Sequence, residues 1–234
     1  MLGINLGNAA QFRQYSVMSL KTGRLPAVLL LLYGPASVSD AAAPPERIVS
    51  PAALANWQER SFSGHTQYRA TADGTGQALH AIAVGTASGL CQAVQIDLNM
   101  LPVVHWRWRL DRAPGSRDER AREGDDQGLR ISFLYQSVMS DESILAVQYV
   151  WSQSEPAGTG WSNPYVADAY ELVARSGPAA PGEWHTEQRD LSADFRTAFG
   201  RAVDRIDAIC LMTDGDQTGA LVEGWYGDIT LQAR

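Results

Sequence analysis

From Trp57 to the C terminus, apolar and polar residues alternate in short runs, and clusters of Gly, Pro, Asp and Asn separate one run from the next. A period of two places successive side chains on opposite faces of a β-strand, so such runs predict strands with one buried face. The pattern predicts strands at residues 67–70, 78–84, 89–96, 103–110, 129–136, 143–151, 170–176, 184–190, 206–212 and 224–232. One stretch has helical spacing instead. Residues 192–199 open on Ser192 as a capping residue, set Phe195 and Phe199 four apart, and stop at Gly200. Many short strands, one short helix and no long helical repeat predict an all-β fold, an antiparallel β-sandwich of the jelly-roll, galactose-binding or lectin-like kind.

Residues 103–110 show the alternation most clearly. Val104, Trp106, Trp108 and Leu110 share one face, and His105, Arg107 and Arg109 share the other. Both tryptophans fall in register with aliphatic residues, so they are read as core rather than as a sugar-stacking pair. The arginine face then becomes the candidate surface. Arg130 alternates with Leu129 and Ile131 in the same way, and Glu187 and Arg189 alternate with Thr186, Gln188 and Asp190. A guanidinium is a fixed fork of donors that suits carboxylate or sulfate groups. If Arg107, Arg109, Arg130, Glu187 and Arg189 converge they make a binding groove, and if they scatter over both outer faces they do not.

The N-terminal segment has a different character. Lys21 and Arg24 precede an apolar stretch at residues 25–33 and small residues through Ser39. That is the layout of a secretory signal, too short to span a bilayer, which takes about 20 residues. Residues 1–41 are therefore read as a signal peptide with an upstream extension, Met18 being an alternative start. Residues 42–54, with Pro44 and Pro45, are read as a linker, and 55–234 as a single domain. The chain has 19 basic and 26 acidic residues; removing residues 1–41 takes away three basic and one acidic, leaving 16 and 25. No basic excess remains to displace phosphate counterions, which argues against nucleic acid. A protein that loses its signal and has no second long apolar run is expected in the periplasm or outside the cell, without stable membrane insertion. Cys91 and Cys210 stand in separate apolar runs and are read as two buried free thiols, a disulfide being the alternative that an oxidising compartment allows.

Several short runs recur in a fixed order. They are Trp106-Arg107-Trp108-Arg109, Gly124-Asp125-Asp126 followed by Arg130, Tyr149-Val150-Trp151, the run from Trp184 to Asp190, Asp194-Phe195-Arg196 with Phe199-Gly200, the run from Met212 to Asp216, and Trp225-Tyr226-Gly227-Asp228-Ile229. In that order they resemble the bacterial family catalogued as domain of unknown function 3047, from about Ala55 to Gln232. The chain departs from that pattern at Gly215 and Gln217, where Thr and Asn are more usual. The resemblance implies an exported β-sandwich and carries no activity. A broader likeness to jelly-roll carbohydrate-binding modules involves Trp57, Asp194-Phe195 and Tyr226-Gly227-Asp228-Ile229, and fold alone does not establish function.

The candidate chemistry follows from these placements. Arg107, Arg109, Arg130, Tyr149, Trp151, Glu187, Arg189, Asp125 and Asp126 are the candidate ligand-binding residues, for a glycan or another polar ligand, an acidic one included. Asp214 and Asp216, on a turn that also holds Gly215 and Gly219, are expected either to hold a structural calcium ion weakly or to form an ordinary rigid turn. The leading reading is a noncatalytic exported binding module. Asp126 and Glu187 could serve glycoside hydrolysis, and Tyr149 or His185 could move a proton in a polysaccharide lyase. A structural envelope domain that binds another protein is the remaining alternative. No Ser-His-acid, phosphate-loop or zinc-type spacing is present.

Overall fold

A computed structural model describes residues 46–74, 76–136 and 144–234. The signal-peptide expectation for residues 1–41 lies outside these described residues. Two β-sheets pack face to face. The first is built from β1 (Glu46–Val49), β3 (Gln67–Ala72), β4 (Gln77–Val84), β6 (Val103–Arg112), β11 (His185–Asp190) and β13 (Leu221–Gln232), in the order β11-β6-β13-β4-β3 with β1 also on β13. The second has the order β2-β5-β12-β7-β8-β10-β9. Its members are β2 (Gln58–Ser63), β5 (Ala87–Asp97), β7 (Arg130–Gln136), β8 (Ile144–Ser152), β9 (Gly160–Ser162), β10 (Ala169–Ser176) and β12 (Arg205–Asp214).

Sequential strands change sheets at β1/β2, β2/β3, β4/β5, β5/β6, β6/β7, β10/β11, β11/β12 and β12/β13, which gives the sandwich its jelly-roll character. β13 is the hinge of the first sheet. Residues Leu221 to Tyr226 pair with β4, residues Ile229 to Gln232 pair with β1, and a register shift at Gly227 and Asp228 separates them. β1 therefore continues the line of β4 along one edge of β13.

Each predicted strand is present, and the alternation sets its direction. Val104, Trp106, Trp108 and Leu110 of β6 point between the sheets and are buried, as their spacing required. Trp106 stacks on Tyr149 of β8 at 5.0 Å and meets Trp108 edge-on at 5.4 Å, so an aromatic seam joins the sheets near β6 and β8. The helix, α1 (Leu191–Phe199), buries Leu191 and Phe195 and ends at Gly200 with φ 69°. Its cap is Asp190, whose side chain accepts the N–H of Ala193, and not Ser192. The aspartate ends β11 one residue before the helix and can reach back over the first turn.

Four further features differ from the alternation reading. β1, β2 and β9 were not predicted, because β2 is an exposed edge strand and β1 and β9 are edge strands of three or four residues with one buried side chain each. β1 also lies within residues 42–54, so part of the expected linker is a paired strand. β10 runs parallel to β8, while β9 folds back on β10 in an antiparallel pair. Finally, Cys91 and Cys210 are not free thiols. They are direct partners on β5 and β12 with Cα atoms 4.1 Å apart, and they form a disulfide. The close antiparallel position brings opposed Cα atoms to about 4.5 Å, and that register cannot be read from either run alone.

The disulfide predicts a simple titration result: the unfolded, unreduced protein has no reactive thiol, and reduction releases two. Replacing both cysteines by serine should lower stability by roughly 2–4 kcal/mol. Free thiols in the unreduced protein would contradict the pairing.

Candidate functional site

The alternation that buries Trp106 and Trp108 turns Arg107 and Arg109 onto the outer face of the first sheet. By register, His80 on β4, Trp225 on β13 and Arg109 on β6 stand side by side, with Trp184 just before β11. His80 stacks on Trp225 at 3.9 Å, the Arg109 guanidinium lies 4.3 Å from the Trp225 ring, and Arg107 lies 4.3 Å from the Trp184 ring. Carboxylates hold both arginines. Asp111 accepts from Arg109 at 2.8 Å and from the Trp225 indole N–H at 2.9 Å. Arg107 pairs with Asp73, a buried residue of the β3–β4 hairpin, at 2.9 Å. Its side chain lies flat across Gly227, where a Cβ would come 2.4 Å from Arg107 Cγ. These guanidinium groups bind the outer surface of the sheet to itself.

Glu187 and Arg189 face the other way, toward the space between the sheets. Glu187 Oε1 accepts from the Trp108 indole at 3.2 Å and from Arg175 Nε at 2.6 Å. Arg189 makes a two-pronged pair with Asp194 of α1, at 2.9 and 2.6 Å, and Asp194 also accepts from the Tyr149 hydroxyl at 2.6 Å. Burial, reinforced by the Asp194 charge, holds the Tyr149 phenol well above its ordinary range. The Trp151 indole donates to Gly177 O, and His185 sits edge-on to Trp151 at 5.1 Å.

The third group forms on the outer face of the second sheet, beneath loops. Arg130 begins β7 with its side chain 7% exposed. Its Nη2 donates to Asp125 Oδ1 at 2.9 Å, with Glu171 Oε1 at 3.5 Å and Asp214 Oδ2 at 3.9 Å. All three carboxylates are buried. Burial opposes the arginine's charge, but the surrounding carboxylates raise its pKa on balance. Asp214 is pushed up to about 8 by burial, against the pull of Arg130. Glu171 is raised for the same first reason.

Tight backbone geometry carries the loops over this cluster. A Cβ on Gly124 would lie 2.3 Å from Asp118 O, so glycine lets the chain fold back just before Asp125 and Asp126. The Asp126 carboxylate accepts the N–H groups of Gln217 and Thr218 at 3.1 and 2.7 Å. Gln127 N–H donates to Asp214 Oδ1 at 2.7 Å. Asn163 donates to Glu171 at 2.6 Å and its Oδ1 accepts from the N–H groups of Tyr165 and Val166. The Tyr165 hydroxyl in turn donates to Arg122 O, and Arg122 Nε donates to Pro164 O. Above this network lies an open cleft of about 510 Å3, lined by Arg117, Arg122, Glu123, Tyr165 and Gln217. One oxygen each from Asp126, Asp214 and Asp216 lies within 4.8 Å of the other two.

The sequence-predicted residues thus fall in three places. Arg107 and Arg109 are on the outer face of the first sheet. Tyr149, Trp151, His185, Glu187 and Arg189 occupy the space between the sheets. Asp125, Asp126, Arg130, Asp214 and Asp216 gather below the cleft. The five residues Arg107, Arg109, Arg130, Glu187 and Arg189 do not converge on one groove, because alternation sends them to different sides of two sheets. Asp126 and Glu187 likewise share no partner. Glu171, Asn163 and Tyr165 went unnoticed in the sequence. Glu171 left one trace, a lone charge in the apolar run Leu172, Val173 and Ala174 that follows it.

Residues 55–230 match the family described as "Protein of unknown function (DUF3047)". The chain belongs to that family. No curated protein matches this sequence. Among solved structures, the family 11 carbohydrate-binding module of a cellulosomal cellulase from Clostridium thermocellum is 10% identical, covering 82% of this chain and 97% of that one at TM-score 0.46. The family 30 carbohydrate-binding module of another cellulosomal cellulase from Clostridium thermocellum is 10% identical, with 76% and 92% covered at TM-score 0.47. The xyloglucanase domain of the effector NopAA from Sinorhizobium fredii is 5% identical, with 76% and 93% covered at TM-score 0.43. These likenesses include binding modules and an enzyme, and the DUF3047 match does not choose between them.

The buried charges give a signed expectation. Glu171 and Asp214 hold protons in the folded protein that an unfolded chain, with carboxylates near 4, releases. Their contribution to stability is complete below about pH 4 and is lost as the pH rises through about 8. Arg130→Met removes the one cation among three carboxylates and should cost roughly 3–5 kcal/mol near pH 8. The loss should shrink near pH 5, where Glu171 and Asp214 stay protonated. Urea unfolding in calcium-free buffer at the two pH values measures both effects, and a small loss equal at both would rule out this account of the cluster.

Proposed function

We propose that this chain is an exported, noncatalytic module that binds a glycan or another polar, oxygen-rich ligand in the cleft above Arg130. The observation that carries the reading is Tyr165. The residue is 48% exposed beside the cleft, yet its hydroxyl, its N–H and the neighbouring Arg122 guanidinium, 5.1 Å from the ring, are all engaged. A fixed aromatic surface loses little freedom on binding and offers an apolar face to the C–H groups of a sugar. Arg117 and Arg122 supply donors around it, and Glu123 supplies acceptors. That mixture suits hydroxyl-rich ligands, and the arginines also suit an acidic one.

Export is supported by the order of basic, apolar and small residues before Ala41 and by the Cys91–Cys210 disulfide, which belongs in an oxidising compartment. Among the described residues, no helix is long and apolar enough to cross a membrane. The noncatalytic reading is favoured by the separation of Asp126 from Tyr149, His185 and Glu187, each committed to other partners.

The test is a glycan array on the purified protein, followed by calorimetry with whichever glycan binds. Tyr165→Ala should weaken binding about three- to tenfold, in keeping with about 0.5–1.5 kcal/mol for an aromatic contact. Arg122→Ala should weaken it as well, and Arg107→Ala should leave it unchanged. A glycan bound equally well by the Tyr165→Ala protein would exclude this cleft. For export, mass spectrometry of the protein recovered from the periplasm or medium should show a mature N terminus close to residue 42. An intact N terminus in the cytosolic fraction would refute the signal peptide.

A further inference from the structure

We propose that Asp126, Asp214 and Asp216 bind a calcium ion on the floor of the cleft. This site does not depend on what the cleft itself binds. The three ligating oxygens come from two loops, and each lies within 4.8 Å of the others. Calcium binds oxygen at about 2.3–2.6 Å, so two of its ligands can stand up to about 5 Å apart across the ion. Three carboxylates this close can share one such ion. Magnesium demands near-ideal octahedral geometry at about 2.0–2.1 Å, which a set drawn from a loop, a strand end and a turn suits less well than calcium's flexible sphere, and a donor set of oxygen alone does not suit zinc.

Charge balance points the same way. Among the described residues, the cation paired with Asp214 is Arg130, which stands 3.9 Å away and is shared with Asp125 and Glu171. The N–H groups of Gln217 and Thr218 occupy one lone pair on each Asp126 oxygen and leave the rest open.

A second observation comes from outside the carboxylates. Gln127 is 1% exposed, its backbone N–H is bonded to Asp214 and its side-chain NH2 to Glu171 at 3.5 Å, yet its side-chain carbonyl oxygen is buried with no donor. Gln217 Oε1 and Asp216 Oδ1 are also buried without a donor. In segments 126–127 and 214–217, every unpartnered buried side-chain atom is therefore an acceptor. Buried acceptors are normally satisfied, and a group of them facing no donor is the complement of a cation. The bound ion would fasten the loop after β6 to the turn after β12, the two loops that Asp126 already joins through hydrogen bonds.

The experiment uses the full chain, with calcium chloride as the probe. Isothermal titration should show one site, and calcium should raise the melting temperature by several degrees relative to chelator, since an ion that binds only the folded state stabilises it by mass action. Asp216→Asn, a change at a half-buried position that leaves the Arg130 contacts in place, should weaken calcium at least tenfold. Asp126→Asn should do the same where it folds, and the exposed Asp228→Asn should bind as the wild type does. No heat and no melting shift at millimolar calcium would overturn the proposal. So would wild-type calcium affinity in Asp216→Asn, or an equal shift with magnesium at the same concentration.

Discussion

Burying one arginine on the outer face of a sheet places a demand on the chain around it. A guanidinium taken out of water must be surrounded by acceptors, and those acceptors, being carboxylates, must be held apart and solvated by other groups. Arg130 draws Asp125 from the loop before it, Glu171 from β10 and Asp214 from the end of β12. Asn163 then steadies Glu171, and Gln127 steadies Asp214. The three loops that form the cleft are tied to this one charge. Their positions are set by electrostatic satisfaction rather than by hydrophobic packing.

The aromatic core works under a milder version of the same rule. The buried Trp108 indole N–H is satisfied by Glu187, and Glu187 is in turn paired with Arg175. Asp194 likewise serves Tyr149 and Arg189 together, fastening α1 to the sandwich. Residues that look like surface chemistry in the sequence are here the polar fittings of the core. The outer arginines Arg107 and Arg109 belong to the same economy, each locked to a carboxylate and laid against a tryptophan.

Alternation made the strands and the buried tryptophans legible, because a half-buried strand writes its burial into every second residue. It was silent about β1, β2 and β9: β2 is exposed throughout, and β1 and β9 are too short for their single buried residues, Val49 and Trp161, to show a period. It correctly turned Arg107, Arg109 and Arg130 away from the core, but could not say what covers each outer face. That depends on register and on which loop folds over which sheet, which are long-range facts. The pairing of Cys91 with Cys210 and of Arg130 with Glu171 joins residues 119 and 41 positions apart, and neither run carries a local mark of its partner.

The parallel placement of β10 beside β8 has a consequence for how such a fold can diversify. A parallel pair cannot be closed by a tight hairpin, so the chain must travel from the end of β8 back to the start of β10. That return carries β9, Asn163 and Tyr165 across the outer face of the second sheet. Lengthening such an excursion costs little, since loop-closure entropy grows only logarithmically with length. Insertions there could reshape one wall of the cleft while the aromatic seam between the sheets stayed unchanged, so that ligand preference and folding can be inherited as separate traits.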